Sequence, residues 1–177
     1  ISREERILYE AEPFLLTDAA GQRHEAIVLT HNKDAINSMV SLVDPAELAK
    51  PLAEQHWTAV VEHSGQVRVN GAGVTSTHLV VSVRKDTIER VQVLPLAGLG
   101  TPEQGAPVEP AFEEELYTAG VAGSDYEAPV IRMGYTSYFT PSRAMTLIAA
   151  SMSRLRRWST DMRVTRNNSP PDMENAR

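Results

Sequence analysis

Short apolar runs, each too brief for a helix and each closed by turn-forming residues, recur along most of this chain and constrain its fold more than any other feature. Ala26-Ile27-Val28-Leu29-Thr30 leads through His31-Asn32-Lys33-Asp34 into Ser38-Met39-Val40-Ser41-Leu42-Val43, a hairpin in outline that Asp44-Pro45 ends. Residues 58–61 and 66–69 flank the Ser64-Gly65 turn, and residues 79–83 and 90–94 flank Lys85-Asp86-Thr87 as a second hairpin. After a Gly- and Pro-rich loop over 97–110 come residues 112–116 and 130–133, with Gly120, Gly123 and Ser124 between them. Runs rich in Val, Ile and Thr, bounded in this way, predict an all-β chain of antiparallel strands.

Two places depart from that pattern. Asp44-Pro45-Ala46-Glu47 has a capping Asp, a first-turn Pro and an acidic residue three positions on. This predicts a short helix within 45–55, with Leu48 and Leu52 on one face. Over 143–157 the residues Met145, Ile148, Met152 and Leu155, continued by Trp158, fall on a helical stripe, and 149–153 holds no Gly or Asn to turn a hairpin. A hairpin and a helix are both open there. Beyond them, Asn167-Asn168-Ser169-Pro170-Pro171-Asp172 loses all periodicity, and 161–177 reads as a disordered or divergent tail.

A chain of 177 residues can bury a sizeable core, and its 42% hydrophobic and 23% charged residues are those of an ordinary globular protein. A net charge of -6 argues against nucleic-acid binding, whose footprint is a basic face. The arginines at 154, 156, 157, 163 and 166 crowd one end, and a solvated tail explains them. The absence of cysteine excludes disulfides and thiolate metal sites. No apolar run is long enough to cross a bilayer as a helix, and no signal core opens the chain, so a cytoplasmic protein is expected. The start lacks Met, which suggests a processed product or a piece of something longer.

No catalytic, cofactor or metal residues emerge from the sequence. A strand-to-helix nucleophile elbow needs Gly-x-Ser-x-Gly, which does not occur. Gly73-Val74-Thr75-Ser76 and Gly134-Tyr135-Thr136-Ser137 have the wrong spacing, and Ser137 is expected to be a hydrogen-bonded strand residue. His24-Glu25 is followed by His31, and His56 by His63; on a strand such odd spacings put the two rings on opposite faces, where they cannot share a metal. His78 stands alone, and all five histidines are expected to be structural or surface residues. Glu113-Glu114-Glu115 reads as a solvated edge, and Asn70-Gly71-Ala72-Gly73 as a turn unsuited to cradling phosphate. Trp57, Tyr135, Tyr138, Phe139 and Trp158 are expected to pack between strands.

One stretch says more than its periodicity. Arg132-Met133-Gly134-Tyr135-Thr136-Ser137-Tyr138-Phe139-Thr140-Pro141-Ser142 reads as a strand that Pro141 ends, with Tyr135, Ser137 and Phe139 on one face. It resembles the Gly-Tyr-Thr-Ser...Thr-Pro-Ser signature in the amino-terminal β-propeller of the prolyl oligopeptidase family, especially its oligopeptidase B branch. Upstream, His56-Trp57-Thr58-Ala59-Val60-Val61-Glu62-His63 is similar to the family's Trp...Val-Ile-Pro-His strand. His78-Leu79-Val80-Val81-Ser82-Val83-Arg84 is similar to its Leu-Val-Val...Arg strand, residues 88–96 to the return strand, and 26–32 to its Ile-Leu-Thr-Asn strand. The family places a hairpin after the signature, which favours the hairpin over the helix at 143–157.

The resemblance implies a partial β-propeller over 1–160. At roughly 40–50 residues per four-stranded blade, the chain would supply about three to four blades. It also implies a catalytic α/β-hydrolase domain, with its Ser, Asp and His, that lies outside this chain, so none of those residues has a position here. The expected function is then that of a non-catalytic propeller fragment of a serine-type oligopeptidase, gating access of short peptides that are cleaved after basic residues in the oligopeptidase B branch. The expected partners are the missing hydrolase domain, short peptides and, through open blade edges, further copies of itself. The alternatives are a stand-alone peptide- or protein-binding module and a truncated product without activity.

Overall fold

The computed structural model describes residues 6–18, 20–110, 112, 114, 116–123, 126–127, 130–139 and 141–148. Among the described residues, ten antiparallel strands lie in three sheets that follow one another along the chain. The first holds β1 (Tyr9–Thr17), β2 (Arg23–His31), β3 (Met39–Val43) and β4 (Thr58–Val61), in that order. The second holds β5 (Val67–Val74), β6 (His78–Lys85) and β7 (Ile88–Pro95); the third holds β8 (Tyr117–Gly123), β9 (Val130–Ser137) and β10 (Arg143–Ile148). A single antiparallel bridge from Val93 to Val108 sits where a fourth strand of the second sheet would run. These are three consecutive blades of an incomplete propeller.

Why the blades stack is written in their alternation. In the first blade Phe14, Leu16, Ala26, Val28, Val40 and Val60 face the second and meet Val69, Val74, Leu79, Val81, Val83 and Leu94. On the other side of the second blade, Val80, Val91 and Val93 meet Ala119, Ile131 and Met133 of the third. The middle blade is thus covered on both faces, and β6 is therefore a nearly unbroken apolar run. Burying each such Val or Leu contributes about 1.5–3 kcal/mol against exposure. The loop after β7 turns back across the first interface: Leu96 and Leu99 enter its core, and Gln104 donates to the Val60 carbonyl at 2.8 Å.

Several sequence expectations are corrected here. The Ser64-Gly65 turn does not join paired strands; β4 closes one blade and β5 opens the next, so it is a blade crossing. Asn70 to Gly73 is strand rather than turn, with a bulge that shifts the register between Val69 and Gly71. Residues 112, 114 and 116 lie outside any strand, and the strand runs instead through Tyr117–Gly123. Strand β9 stops at Ser137, so Pro141 sits in a hairpin connection and not at the end of a longer strand. The helical alternative gives way over Arg143–Ile148 to a strand paired with β9, and the rest of that stretch, with Trp158 and the tail, lies outside the described residues. Near 45–55 the expected helix is two 3-10 turns, Pro45–Ala49 and Leu52–Glu54, split at Lys50-Pro51 because Pro51 offers no backbone donor. Asp44 caps the first, accepting from the Ala46 N–H at 2.8 Å.

Candidate functional site

The first strands of the three blades, β1, β5 and β8, converge on one cavity of about 320 Å³. Glu10 and Glu12 of β1 close one side, Gly71 to Val74 of β5 with Thr75 just beyond form its floor, and Val80, Ser82 and Val121 complete it. Glu12 accepts from the Val74 N–H at 3.0 Å, satisfying a donor on the unpaired edge of β5. The glycines of β5 make room for this. A Cβ on Gly71 would stand 3.5 Å from a carboxylate oxygen of Glu10, and one on Gly73 3.7 Å from Glu12. At the end of the cavity the turn from β5 to β6 is tied by Thr75, whose hydroxyl donates to the His78 carbonyl at 3.2 Å and accepts from the His78 N–H at 3.0 Å. His78 is buried, which lowers its pKa, and its Nδ1 meets Thr77 Oγ1 at 2.8 Å. The cavity is acidic along its β1 side and otherwise lined mostly by apolar groups, with the hydroxyl residues Thr75 and Ser82 in its wall.

The strongest constellation of hydrolase type lies elsewhere, and the sequence did not reveal it. His31 Nε2 stands 2.8 Å from Ser41 Oγ, both buried between β2 and β3. The hairpin register sets Ser41 opposite Leu29, one diagonal step from His31 on the same face. A serine nucleophile needs an imidazole nitrogen free to accept its proton. Here Nδ1 already accepts from the Lys33 backbone N–H at 3.2 Å. Burial, helped by nearby Lys33 and partly opposed by Asp34, holds the His31 pKa at about 4, so the ring is neutral. Its one proton therefore sits on Nε2 and is donated to Ser41. The pair has the wrong tautomer for activating serine. It is a structural hydrogen bond, packed edge-on under Trp57 at 4.7 Å.

The other sequence candidates are scattered. His24 and His63 are exposed, and His56 reaches Glu47 at 3.4 Å on the surface. Ser137 ends β9 opposite Tyr117, half-buried. Gly73-Val74-Thr75-Ser76 leads from a strand into a turn, not into a helix. Glu114 alone of the acidic run is among the described residues. Tyr135 is buried and stacks on Phe112 at 4.4 Å, as a packing residue should. Tyr138 and Phe139 are not packed: they are 90% and 83% exposed, because the chain leaves the sheet at Ser137. Among the described residues no three His, Asp or Glu side chains are placed to hold a metal, and no helix is long and apolar enough to cross a membrane.

Residues 17–154 match the family described as prolyl oligopeptidase, N-terminal beta-propeller domain. The chain belongs to the prolyl oligopeptidase family. Among solved structures it is similar to oligopeptidase B from Trypanosoma brucei, crystallised with covalently bound antipain in a closed form. That likeness has a TM-score of 0.63 at 25% identity, over 82% of this chain and 19% of that one. Oligopeptidase B from Leishmania major shares its fold, with a TM-score of 0.62 at 23% identity over 81% of this chain and 19% of that one. So does a prolyl endopeptidase, at 0.57 and 18% identity over 80% of this chain and 18% of that one. No curated protein matches the chain. This prolyl oligopeptidase propeller segment therefore spans about a fifth of the length of its solved relatives.

Proposed function

We propose that this chain is the non-catalytic propeller segment, over 1–160, of a cytoplasmic serine-type oligopeptidase, and that it gates the entry of short peptides to a hydrolase domain outside this sequence. The observation that carries the reading is the meeting of β1, β5 and β8 around an acidic cavity, while the buried Ser41–His31 pair has a tautomer that cannot activate the hydroxyl. Glu10, exposed at the rim, favours peptides with basic residues. The isolated chain should not hydrolyse arginyl or prolyl peptide reporters. Fused ahead of a family hydrolase domain, it should confine cleavage to short peptides and spare an unfolded protein. Turnover by the chain alone, abolished by a serine-reactive inhibitor, would sink the non-catalytic assignment; equal cleavage of long and short substrates by the fusion would sink the gate.

A second reading, a stand-alone peptide- or protein-binding module, draws on the loop after β7. Leu96 and Leu99 close the core between the first two blades, so the arc carries its own sealed interface. A cooperative melt of the isolated chain with no added domain would favour it.

A further inference from the structure

Strand β5 belongs to the middle blade, which has a blade of this chain packed on either side, so described residues set its surroundings. It pairs with β6 along one edge; the other edge has no paired strand and borders the cavity where β1, β5 and β8 converge. The register fixes which backbone groups look that way. Along an antiparallel ladder, residues alternate between exchanging both hydrogen bonds with the partner strand and turning both groups outward. Thr75 turns its N–H to the His78 carbonyl and Val74 turns its own to Glu12, so Val74 and, two residues back, Ala72 face away from β6.

Both ends of this edge are closed from the first blade. Val69 donates to the Asn37 carbonyl at 2.9 Å, and Val74 to Glu12 at 3.0 Å. Between them, past the bulge, the outward N–H and C=O of Ala72 meet no partner among the described residues, and Ala72 lines the cavity. The face beside that pair is open as well. Gly71 and Gly73 stand opposite Ser82 and Val80, on the side of the sheet that meets the third blade. A Cβ on either would find within 4 Å only a carboxylate oxygen of Glu10 or Glu12. A free donor and acceptor on a strand edge, next to space for a side chain, is what an extended peptide needs to add to a sheet.

We propose that the β5 edge at Ala72 is a docking station for an extended peptide, which pairs its main chain with the Ala72 N–H and C=O, seats one side chain over Gly71 and Gly73, and brings a cationic group to Glu10. Glu10 is exposed and has no hydrogen bond or ion pair among the described residues, so its charge is left for an incoming cation. This rests on the reading of the chain as a propeller that admits short peptides, and adds where and how such a peptide is held. Asn37 and Glu12 confine the open edge to one residue. A single pair of main-chain hydrogen bonds makes a weak contact, suited to passage and not to retention.

The probe is the blocked peptide acetyl-Thr-Val-Arg-Val-Thr-amide, added to the full 177-residue chain. Its binding is read by fluorescence anisotropy of a labelled form and by the Ala72 amide resonance, which should shift and exchange its hydrogen more slowly. Methylating the peptide nitrogens one at a time should weaken binding by about fivefold at alternate positions and spare those between, since only every second N–H of a strand faces its partner. Ala72→Pro removes the outward N–H, leaves the β6 ladder whole and should weaken binding by a similar factor. Glu10→Gln should do the same, and at an exposed residue it should keep the wild-type circular dichroism even if Ala72→Pro misfolds. With the peptide's Arg replaced by Gln, acetylated and free-amine forms tell whether side chain or terminus supplies the cation; tighter binding of either cationic peptide upholds the site. An unchanged Ala72 amide, methylation without alternation, or equal binding of all three peptides overturns it. The gate is judged apart, by the fusion: docking without size selection sinks the gate alone, and size selection without docking sinks the station alone.

Discussion

Acidification should unfold this chain through His31 before its carboxylates matter. The ring is buried and neutral in the fold, with a pKa held at about 4 against 6.5 in an unfolded chain. Between those values the unfolded state binds the extra proton, so stability is full above pH 6.5, falls as pH drops and levels off below pH 4. At pH 5 an unfolded histidine is almost wholly protonated and the folded one only about a tenth, which integrates to a loss of about 2 kcal/mol relative to pH 7. With a urea m-value of about 2 kcal/mol/M, the midpoint should fall by about 1 M. Trp57, whose ring centre is 4.7 Å from that of His31, is a local fluorescence reporter of the transition. Glu47 also has a shifted pKa, lowered to about 2 by its hydrogen bonds to Lys50 and His56. Its contribution is present above pH 4.5 and lost only below it, so the pH 7 to pH 5 interval excludes it. His78, lowered by burial, acts in the same direction as His31. His31→Gln should therefore remove most, but not all, of the midpoint shift at fixed protein concentration. Equal midpoints at pH 7 and pH 5 in the wild type, or an undiminished shift in His31→Gln, would refute the neutral-ring assignment and with it the case against a Ser41 nucleophile.

Leu79→Ala, at a fully buried position facing the first blade, should cost about 2–5 kcal/mol in urea unfolding, through lost transfer energy and a residual cavity. Gly100→Ala should cost about 1–3 kcal/mol by the same measurement, because the residue has φ +75 and a Cβ there would stand 3.0 Å from Leu42 Cδ2. An unchanged midpoint in Gly100→Ala would show that the loop after β7 does not close the first interface as described.

How legible each strand was depended on how many of its faces are buried. Strand β6 lies between two neighbours, and its Leu79-Val80-Val81 run is visible by eye. Strand β1 went unseen because it is an edge: Glu10 and Glu12 interrupt the side on which Phe14 and Leu16 carry the packing, and Pro13 breaks the run between them. The second half of β5 and the whole of β8 were hidden for a different reason. Their glycines, ordinarily punctuation, are here continuous with the strand. In β5 those glycines are spaces for side chains from the next blade, a relation between residues more than 60 positions apart that no local window contains. The exposure of Tyr138 and Phe139 was missed because the strand ends before the apolar stretch does.

The same limit applies to the site. Each half of the Ser41–His31 pair was on the page, and the hairpin that joins them was readable, so their meeting was within reach of register reasoning. Its chemical meaning was not. That is decided by the Lys33 backbone N–H, which occupies Nδ1 and so forces the proton onto Nε2. That donor comes from the turn just beyond the strand. Proximity of a serine to a histidine is therefore weak evidence of nucleophilic chemistry even at 2.8 Å, because the third partner sets the direction of the hydrogen bond. In a catalytic triad the third partner is an acceptor that pulls the proton to Nδ1. Here it is a donor, and the same two side chains become a clasp between β2 and β3.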